Sequence, residues 1–171
     1  MKLVSINENK IIEKRIAISP ETAKKYISNG FSVTLQEGYG SHLGFTDRIY
    51  TDLGVEIVKD TKKIIENANI IAQLSLPSDE NLSLFHNDQL LVGVLNPFEN
   101  QEKIDKLIKK KVSNFSLELL PRITRAQSMD ILSSQANLAG YKAVIESFAH
   151  FEKAIPMMMT AAGTVPAAKV L

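Results

Sequence analysis

The side chains best suited to chemistry lie in one polar stretch, PRITRAQSMDILSSQANLAGY, which spans residues 121–141. Arginines, amides, hydroxyls and an aspartate precede and then line a run of small residues whose spacing predicts a helix. Thr124 and Gln127 fit the S/T-x-x-E/Q capping box, which predicts that this helix begins near Thr124. Amides and hydroxyls suit the binding of a polar ligand by hydrogen bonds.

A rotation of about 100° per residue separates two faces of this predicted helix. The polar face, within roughly 80°, carries Gln127, Asp130, Ser134, Asn137 and Tyr141. The opposite face is apolar and mostly small, which suits close packing, and carries Met129, Leu132, Ala136, Ala139 and Ala143. Solvated faces favour lysine and glutamate, which are missing from the polar strip before Lys142 and Glu146. A ligand-binding surface and an ordinary solvated surface are both open interpretations.

Composition narrows the class of protein. The 171 residues are 44% hydrophobic and 23% charged, which is typical of a globular protein of one domain or slightly more. A net charge of +1 argues against nucleic acid as a partner, and the absence of cysteine excludes disulfides and thiolate metal sites. The three histidines are scattered without ligand spacing, so no metal site is expected. The N-terminal stretch does not resemble a signal peptide, which predicts a cytoplasmic protein.

Short β-branched runs alternate with helical patterns along residues 1–120. The predicted strands are residues 2–6, 32–36, 55–58, 69–76, 89–95 and 111–119, and the predicted helices are residues 20–30, 60–68 and 99–110. Strands separated by helices indicate right-handed βαβ units. We therefore predict an α/β fold with a doubly wound, mostly parallel sheet flanked by helices. The glycine-rich segment GYGSHLG, residues 38–44, is interpreted as a turn.

The C-terminal segment is unusually apolar. Residues 154–171 carry a single charged side chain, Lys169, and the final KVL has the pattern of a buried strand. We expect this segment to need a cover beyond Leu171, and to be mobile or covered by another copy because it lacks strand partners. The expected organisation is an α/β domain at 1–120, a loop and connecting helix at 121–150, and the start of a second domain at 151–171.

Four blocks carry a resemblance to a known family: KRIAISPETAKKYISNGFSVTLQEGYG, YTDLGVEIV, LPRITRAQSMDILSSQANLAGYKAVIE and TAAGTVPAAKVL. Together they resemble the N-terminal domain of the alpha subunit of proton-translocating NAD(P) transhydrogenase, in the family that includes alanine dehydrogenase. The resemblance implies a flavodoxin-like or Rossmann-like domain. In relatives, TAAGTVPAAKVL leads into a Rossmann domain with a G-x-G-x-x-G loop, and this sequence stops before such a loop.

The resemblance also implies a role for the polar stretch. Arg122, Gln127, Asp130 and Ser133 would face the nicotinamide of NAD(H), which a downstream alpha-subunit chain with the glycine-rich loop would mainly hold. Hydride would pass directly to or from NADP(H) on the beta subunit, coupled to proton translocation by partner membrane domains. The family further implies a homodimer that is peripheral to the inner membrane on its cytoplasmic side.

Two alternatives stay open. The chain could be a non-catalytic assembly module, or a remnant of an alanine dehydrogenase-like enzyme. Arg15 matches the arginine with which the resemblance implies that alanine dehydrogenase binds its substrate carboxylate, although Arg15 could equally be a structural ion-pair partner. By the same resemblance, Gln73 and Asn96 replace the lysine and the histidine near the reacting carbon. Neither amide can serve as a cation or carry a proton at neutral pH.

Overall fold

The structure, a computed structural model, describes residues 1–169 and divides into two compact units, Met1–Met129 and Asp130–Leu171. The first unit contains β1 (Lys2–Ser5), α1 (Pro20–Ser28), β2 (Ser32–Gln36), α2 (Asp47–Thr51), β3 (Glu56–Val58), α3 (Thr61–Glu66), β4 (Ile70–Ala72), α4 (Asp79–Ser83), β5 (Leu90–Gly93), α5 (Gln101–Lys109) and β6 (Ser113–Ser116). The second contains α6 (Ile131–His150), β7 (Met158–Thr160) and β8 (Gly163–Val165). Three 3₁₀ helices cover Ser41–Leu43, Leu117–Leu119 and Thr124–Met129.

The first unit is built on a six-stranded sheet in the order β3-β2-β1-β4-β5-β6, and every neighbouring pair is parallel. The predicted doubly wound α/β fold is therefore confirmed. Each predicted strand contains an observed one, and the second coincides with it at Ser32–Gln36. The others are shorter than the apolar runs. For example, β4 ends at Ala72, where its pairing with β5 stops at Val92.

Local signals explain the longer helices. Pro20 opens α1, and the hydroxyl of Ser19 caps it by accepting a hydrogen bond from the Thr22 N–H at 3.2 Å. Asp60 caps α3 in the same way, through the N–H groups of Lys62 and Lys63. The three predicted helices are confirmed as α1, α3 and α5. Helices α2 and α4 were not predicted, because five residues are too few to show a helical period.

Two apolar clusters cover the two faces of the sheet. Successive residues of a strand point to opposite faces, and Leu3 and Val4 of β1 belong to different clusters. The cluster around Val4 takes buried side chains from α3, α4 and α5, whereas the cluster around Leu3 takes them from α1 and α2. Helices on both faces leave the carboxyl edge of the sheet free for loops, which is where the candidate site lies.

The start of the last helix differs from the prediction. Thr124–Met129 is a 3₁₀ helix, and α6 begins at Ile131 with Asp130 as its N-cap. The Asp130 carboxylate accepts hydrogen bonds from the N–H groups of Leu132 and Ser133, both at 3.0 Å. The predicted capping box of Thr124 and Gln127 is therefore wrong, because a carboxylate that engages two free amides makes the stronger cap.

The later start also changes the two predicted faces. Gln127 and Asp130 lie before α6, so only Ser134, Asn137 and Tyr141 of the polar strip belong to the helix. The small apolar face is not packed within the part of the chain that the structure describes, since no residue of α6 is buried. Large apolar side chains are exposed along it, at Leu132, Leu138, Tyr141, Val144, Ile145 and Phe148. These exposed side chains suit contact with further protein.

The C-terminal segment has strand partners of its own, contrary to the prediction. Strands β7 and β8 pair with each other in an antiparallel hairpin, with Met158 opposite Val165 and Thr160 opposite Gly163. The Ala168 N–H also donates to the carbonyl of Ile155 at 2.9 Å. Met157 and Met159 on this hairpin are exposed, so its apolar surface is uncovered. The last two residues of the predicted KVL strand, 170 and 171, lie outside the described residues.

Candidate functional site

The sheet changes its direction of winding between β1 and β4, and a crevice lies at the carboxyl ends of these strands. Two adjoining pockets of about 360 Å³ and about 390 Å³ occupy it and share Ile12, Ser75 and Leu76 in their walls. The loop after β1, residues 6–19, and the loop after β4, residues 73–78, contribute most of the polar lining. Open α/β sheets bind ligands at such a switch point.

Arg15 lines the smaller pocket and is held by Glu13 of the same loop. Its Nε donates to Glu13 Oε1 at 2.8 Å, and its Nη2 lies 2.6 Å from Glu13 Oε2. The Arg15 hydrogen bond holds the pKa of the Glu13 carboxyl below its ordinary value. The predicted possibility of a structural ion pair is therefore observed, and the Arg15 side chain remains half exposed at 52%.

Gln73, at the end of β4, is a buried hydrogen-bonding hub. Its Oε1 accepts from the Ser5 hydroxyl and from the Ile6 N–H, both at 2.8 Å. Its Nε2 donates to Glu8 Oε1 at 3.2 Å. An amide can accept and donate at once, whereas a lysine has donors alone and would leave the Ile6 N–H without this acceptor. The amide at position 73 is thus matched to its surroundings.

Tyr39 extends this buried network on the other side of Ser5. Its hydroxyl lies 2.8 Å from Ser5 Oγ and accepts from the N–H groups of Ala17 and Ile18 at 3.0 and 3.2 Å. Because Tyr39 already accepts two hydrogen bonds, its own proton is directed to Ser5 Oγ. Burial raises the pKa of Tyr39 above its ordinary value. The network therefore works with Tyr39 as a neutral donor.

Glu8 is the carboxylate of the crevice. Its Oε1 accepts from the N–H groups of Leu74 at 2.6 Å and Ser75 at 3.3 Å, in addition to Gln73 Nε2. Burial raises the pKa of Glu8 above its ordinary value of 4.5, and the hydrogen bonds from Leu74 and Ser75 oppose that shift. A half-buried carboxyl with a raised pKa in a crevice is a candidate functional group.

The raised pKa of Glu8 gives a pH-dependent prediction for Glu8→Gln. The folded protein binds the Glu8 proton more tightly than the unfolded chain, so the contribution of Glu8 to stability is fully present below about 4.5 and is lost as pH rises through the raised pKa. We expect the unfolding free energy of Glu8→Gln, relative to the wild type, to increase across that range. Urea unfolding of both proteins at several pH values measures the difference, and a decrease with pH would contradict the raised pKa.

Asn96 stands at the exposed end of β5 and lines the smaller pocket with Arg15. Its backbone adopts a positive φ of 43°, and its N–H donates to Glu118 Oε1 at 2.6 Å. With Gln73 buried in its own hydrogen bonds, neither position supplies a cation or a proton carrier beside Arg15. The crevice thus lacks the acid–base groups that amino-acid oxidation needs.

The predicted site residues fall in both units. Arg122 and Gln127 belong to the first, Arg122 directly after Pro121 and Gln127 in the 3₁₀ helix Thr124–Met129. Their side chains are exposed, and no hydrogen bond or ion pair of either is found within residues 1–169. Exposed polar side chains of this kind remain available to a ligand or to a partner chain.

Asp130 and Ser133 belong to the second unit and contact each other. The Ser133 hydroxyl donates to Asp130 Oδ2 at 2.6 Å, while Asp130 Oδ1 caps the helix. Asp130 therefore has a structural role, as the N-cap of α6, that the sequence pattern assigned elsewhere. Glu8 and Tyr39 were missed, although Glu8 is a polar residue that closely follows the apolar strand β1, which is a usable signal for a crevice residue.

Comparison with known proteins places the chain in a family. It belongs to the family described as alanine dehydrogenase/PNT, N-terminal domain, whose model matches residues 5–139. Over its whole length it is 43% identical to the first of the separately encoded alpha-subunit chains of NAD(P) transhydrogenase from Rickettsia prowazekii. It is 40% identical to the corresponding chain from Rhodospirillum rubrum, and it covers 46% of each. The chain therefore spans about half the length of these curated relatives.

Solved structures agree with this assignment. A transhydrogenase from Sinorhizobium meliloti matches 96% of the chain with a TM-score of 0.87 and 40% identity, and the chain covers 50% of that protein. An L-alanine dehydrogenase matches 69% of the chain at 23% identity with a TM-score of 0.65, which supports the fold alone. Within residues 1–169, no helix is long and apolar enough to cross a membrane.

Proposed function

We propose that this chain supplies one wall of the NAD(H) site of a proton-translocating NAD(P) transhydrogenase, as the N-terminal portion of its alpha subunit. The observation that carries the proposal is the identity of 40–43%, across the whole chain, to relatives named as the first alpha-subunit chain of NAD(P) transhydrogenase. The crevice supports it, because Gln73 and Asn96 are unsuited to the acid–base chemistry of the alanine dehydrogenase alternative.

In this proposal Arg122, Gln127, Asp130 and Ser133 orient the nicotinamide side of the nucleotide. Arginine and glutamine provide donors for a carboxamide oxygen, and glutamine and serine oxygens accept from a carboxamide nitrogen. The exposed side chains of Arg122 and Gln127 fit this role, since neither is engaged within the described residues. When bound, NAD(H) exchanges a hydride with NADP(H), which we assign to the beta subunit. This chain then contributes position rather than proton transfer.

The exposed apolar surface of α6 supports the need for a partner. Leu138, Tyr141 and Phe148 are each at least 44% exposed, and patches of this kind usually meet other protein. We propose a downstream alpha-subunit chain with the glycine-rich loop as that partner, in a homodimer that docks with the beta subunit and membrane domains on the cytoplasmic side of the inner membrane. No residue here is assigned to proton translocation.

Co-expression of this chain with the protein encoded directly downstream, together with a beta subunit, tests the proposal. We expect hydride transfer between NAD(H) and an analogue of NADP(H) in the reconstituted complex, and no alanine-dependent reduction of NAD⁺. A complex that assembles without hydride transfer would favour the non-catalytic assembly module. Alanine oxidation by the complex would favour the alanine dehydrogenase alternative.

The chain by itself should bind NAD(H) feebly. No G-x-G-x-x-G motif occurs in the 171 residues, so the loop and helix N-terminus that hold a pyrophosphate in dinucleotide-binding domains are not supplied. Calorimetric titration of the chain alone, with the reconstituted complex as the positive control, measures the difference. A micromolar dissociation constant for the chain alone would contradict the assignment of the main nucleotide site to the partner.

A further inference from the structure

The loop after β1 is fixed to the β2 side of the crevice by several contacts. The Asn7 N–H donates to Gln36 Oε1 at 2.8 Å, and a ring nitrogen of His42 lies 2.6 Å from the carbonyl of Lys14. Tyr39 receives the N–H groups of Ala17 and Ile18 where the loop returns to α1. These contacts secure the beginning and the end of residues 6–19.

On the β4 side the loop is held through Gln73 and Glu8. The Ile6 N–H donates to Gln73 Oε1, and Glu8 then reaches the N–H groups of Leu74 and Ser75. Beyond Glu8 the loop projects outward, with Ile11 exposed at 91% and Ile12 at 79%. Glu8 therefore ties the loop to the end of β4 just before the loop leaves the sheet.

The Leu74 and Ser75 amides converge on one carboxylate oxygen. Successive backbone N–H groups that point to a common position form a small anion-binding concavity. Hydrogen bonds from N–H groups to an ionised carboxylate are roughly twice as strong as neutral ones. The end of β4 thus has the geometry of a carboxylate seat, and the chain fills it with its own side chain.

We propose that Glu8 is a positioning residue that clamps the β1 loop onto a carboxylate seat formed by Leu74, Ser75 and Gln73, and so sets the shape of the crevice. Glu8 lines the larger pocket, and the loop that it holds carries Glu13 and Arg15 into the smaller one. Removal of the Glu8 carboxylate should free the β4 side of the loop while the β2 side stays anchored.

The surroundings of Glu8 contain few other charges. The titratable or charged groups near it or in the pocket walls are Glu13 and Arg15 on the same loop, Tyr39 after β2, and Lys103 on α5. Glu13 acts on Glu8 by repulsion, whereas α4 contributes uncharged Asn81 and the segment before it contributes Ser78. The seat itself is uncharged, so a bound carboxylate is held by amide donors.

Amide hydrogen exchange and amide proton shifts of Leu74 and Ser75, measured by NMR on the full chain, test the clamp. In Glu8→Ala we expect exchange at both amides to become about tenfold faster or more, as for a lost hydrogen bond to a charged group. Sodium acetate in excess should slow exchange again in Glu8→Ala, and should leave the wild type unchanged. Glu21→Gln is the control, because Glu21 is an exposed residue of α1 paired with Lys25.

Glu8→Gln keeps the test decisive if Glu8→Ala fails to fold. A glutamine oxygen can still accept both N–H groups, so exchange should stay near that of the wild type. The acid-range inflection in the Leu74 and Ser75 amide shifts should be present in the wild type and in Glu21→Gln, and absent in Glu8→Gln. Persistence of that inflection, unchanged exchange in a folded Glu8→Ala, or failure of acetate to restore protection would each overturn the proposal.

Discussion

Arg122→Ala and Asp130→Asn, introduced into the reconstituted transhydrogenase complex, are expected to lower hydride transfer by about 10–100-fold. The expected loss comes from misplacement of the nicotinamide rather than from unfolding. Arg122 is exposed and free of hydrogen bonds within residues 1–169, so its truncation removes little that stabilises the chain. The initial rate of transfer, measured beside the melting temperature of each variant, separates the two effects.

The structure makes Asp130→Asn a sharper variant than Asp130→Ala. Asparagine is as good an N-cap as aspartate, so it can keep the hydrogen bonds from Leu132 and Ser133 while it removes the charge. Alanine removes the cap as well, which should cost about 1 kcal/mol of stability. A rate loss in Asp130→Ala that is absent from Asp130→Asn would show that Asp130 acts through the helix alone.

Gln127→Ala serves as the independent test of this surface. Gln127 does not close a capping box, so its truncation should leave the unfolding free energy nearly unchanged. If Gln127 orients the nicotinamide, hydride transfer should still fall. Unaltered transfer rates in Gln127→Ala would remove Gln127 from the site.

Gly93→Ala should strongly destabilise the first unit. A Cβ atom at Gly93 would lie 2.1 Å from the carbonyl oxygen of Gln73, a separation that no side-chain rotation can relieve because the obstacle is backbone. The Gln73 N–H also donates to the carbonyl of Val92 at 2.9 Å, so strands β4 and β5 cannot separate without breaking their ladder. Overpacking of this kind costs about 1–3 kcal/mol and sometimes more. Urea unfolding measures the loss.

Gly140→Ala is the matched control for Gly93→Ala. Gly140 lies within α6, and a Cβ atom there meets nothing within 4 Å. Since alanine favours a helix over glycine by about 1 kcal/mol, this substitution should be neutral or stabilising. A loss of stability in Gly140→Ala similar to that in Gly93→Ala would point to a general intolerance of substitution. Equal stability of Gly93→Ala and the wild type would contradict the close approach of β4 and β5.

Much of the sheet was predictable from the sequence because its signals are local. Ser32–Gln36 is a short β-branched run, and Ser19 and Pro20 mark the start of α1 within two adjacent residues. Patterns of this kind depend on neighbours in the chain, so periodicity and capping rules suffice. They fail for α2 and α4, whose five residues are shorter than the window that reveals a helical period.

The start of α6 shows where local rules compete. Thr124 and Asp130 both precede helical sequence, and each could have served as the N-cap. In the structure Asp130 caps α6, and the preceding turns are a 3₁₀ helix. The resemblance to a family supplied Arg122, Gln127, Asp130 and Ser133 as site residues, but it was the capping geometry of Asp130 that revealed its second role.

The sequence by itself determined the class of fold, the order of its strands and helices along the chain, and the family. Tertiary structure alone decided the crevice. Glu8 meets Leu74 across 66 positions, and Ser5 meets Gln73 across 68, because β1 and β4 become neighbours in the sheet although α1, β2, α2, β3 and α3 separate them in the chain. No local pattern encodes such a pair. A hydrogen bond forms where two backbones are brought within about 3 Å, and that distance is set by the packing of the whole sheet.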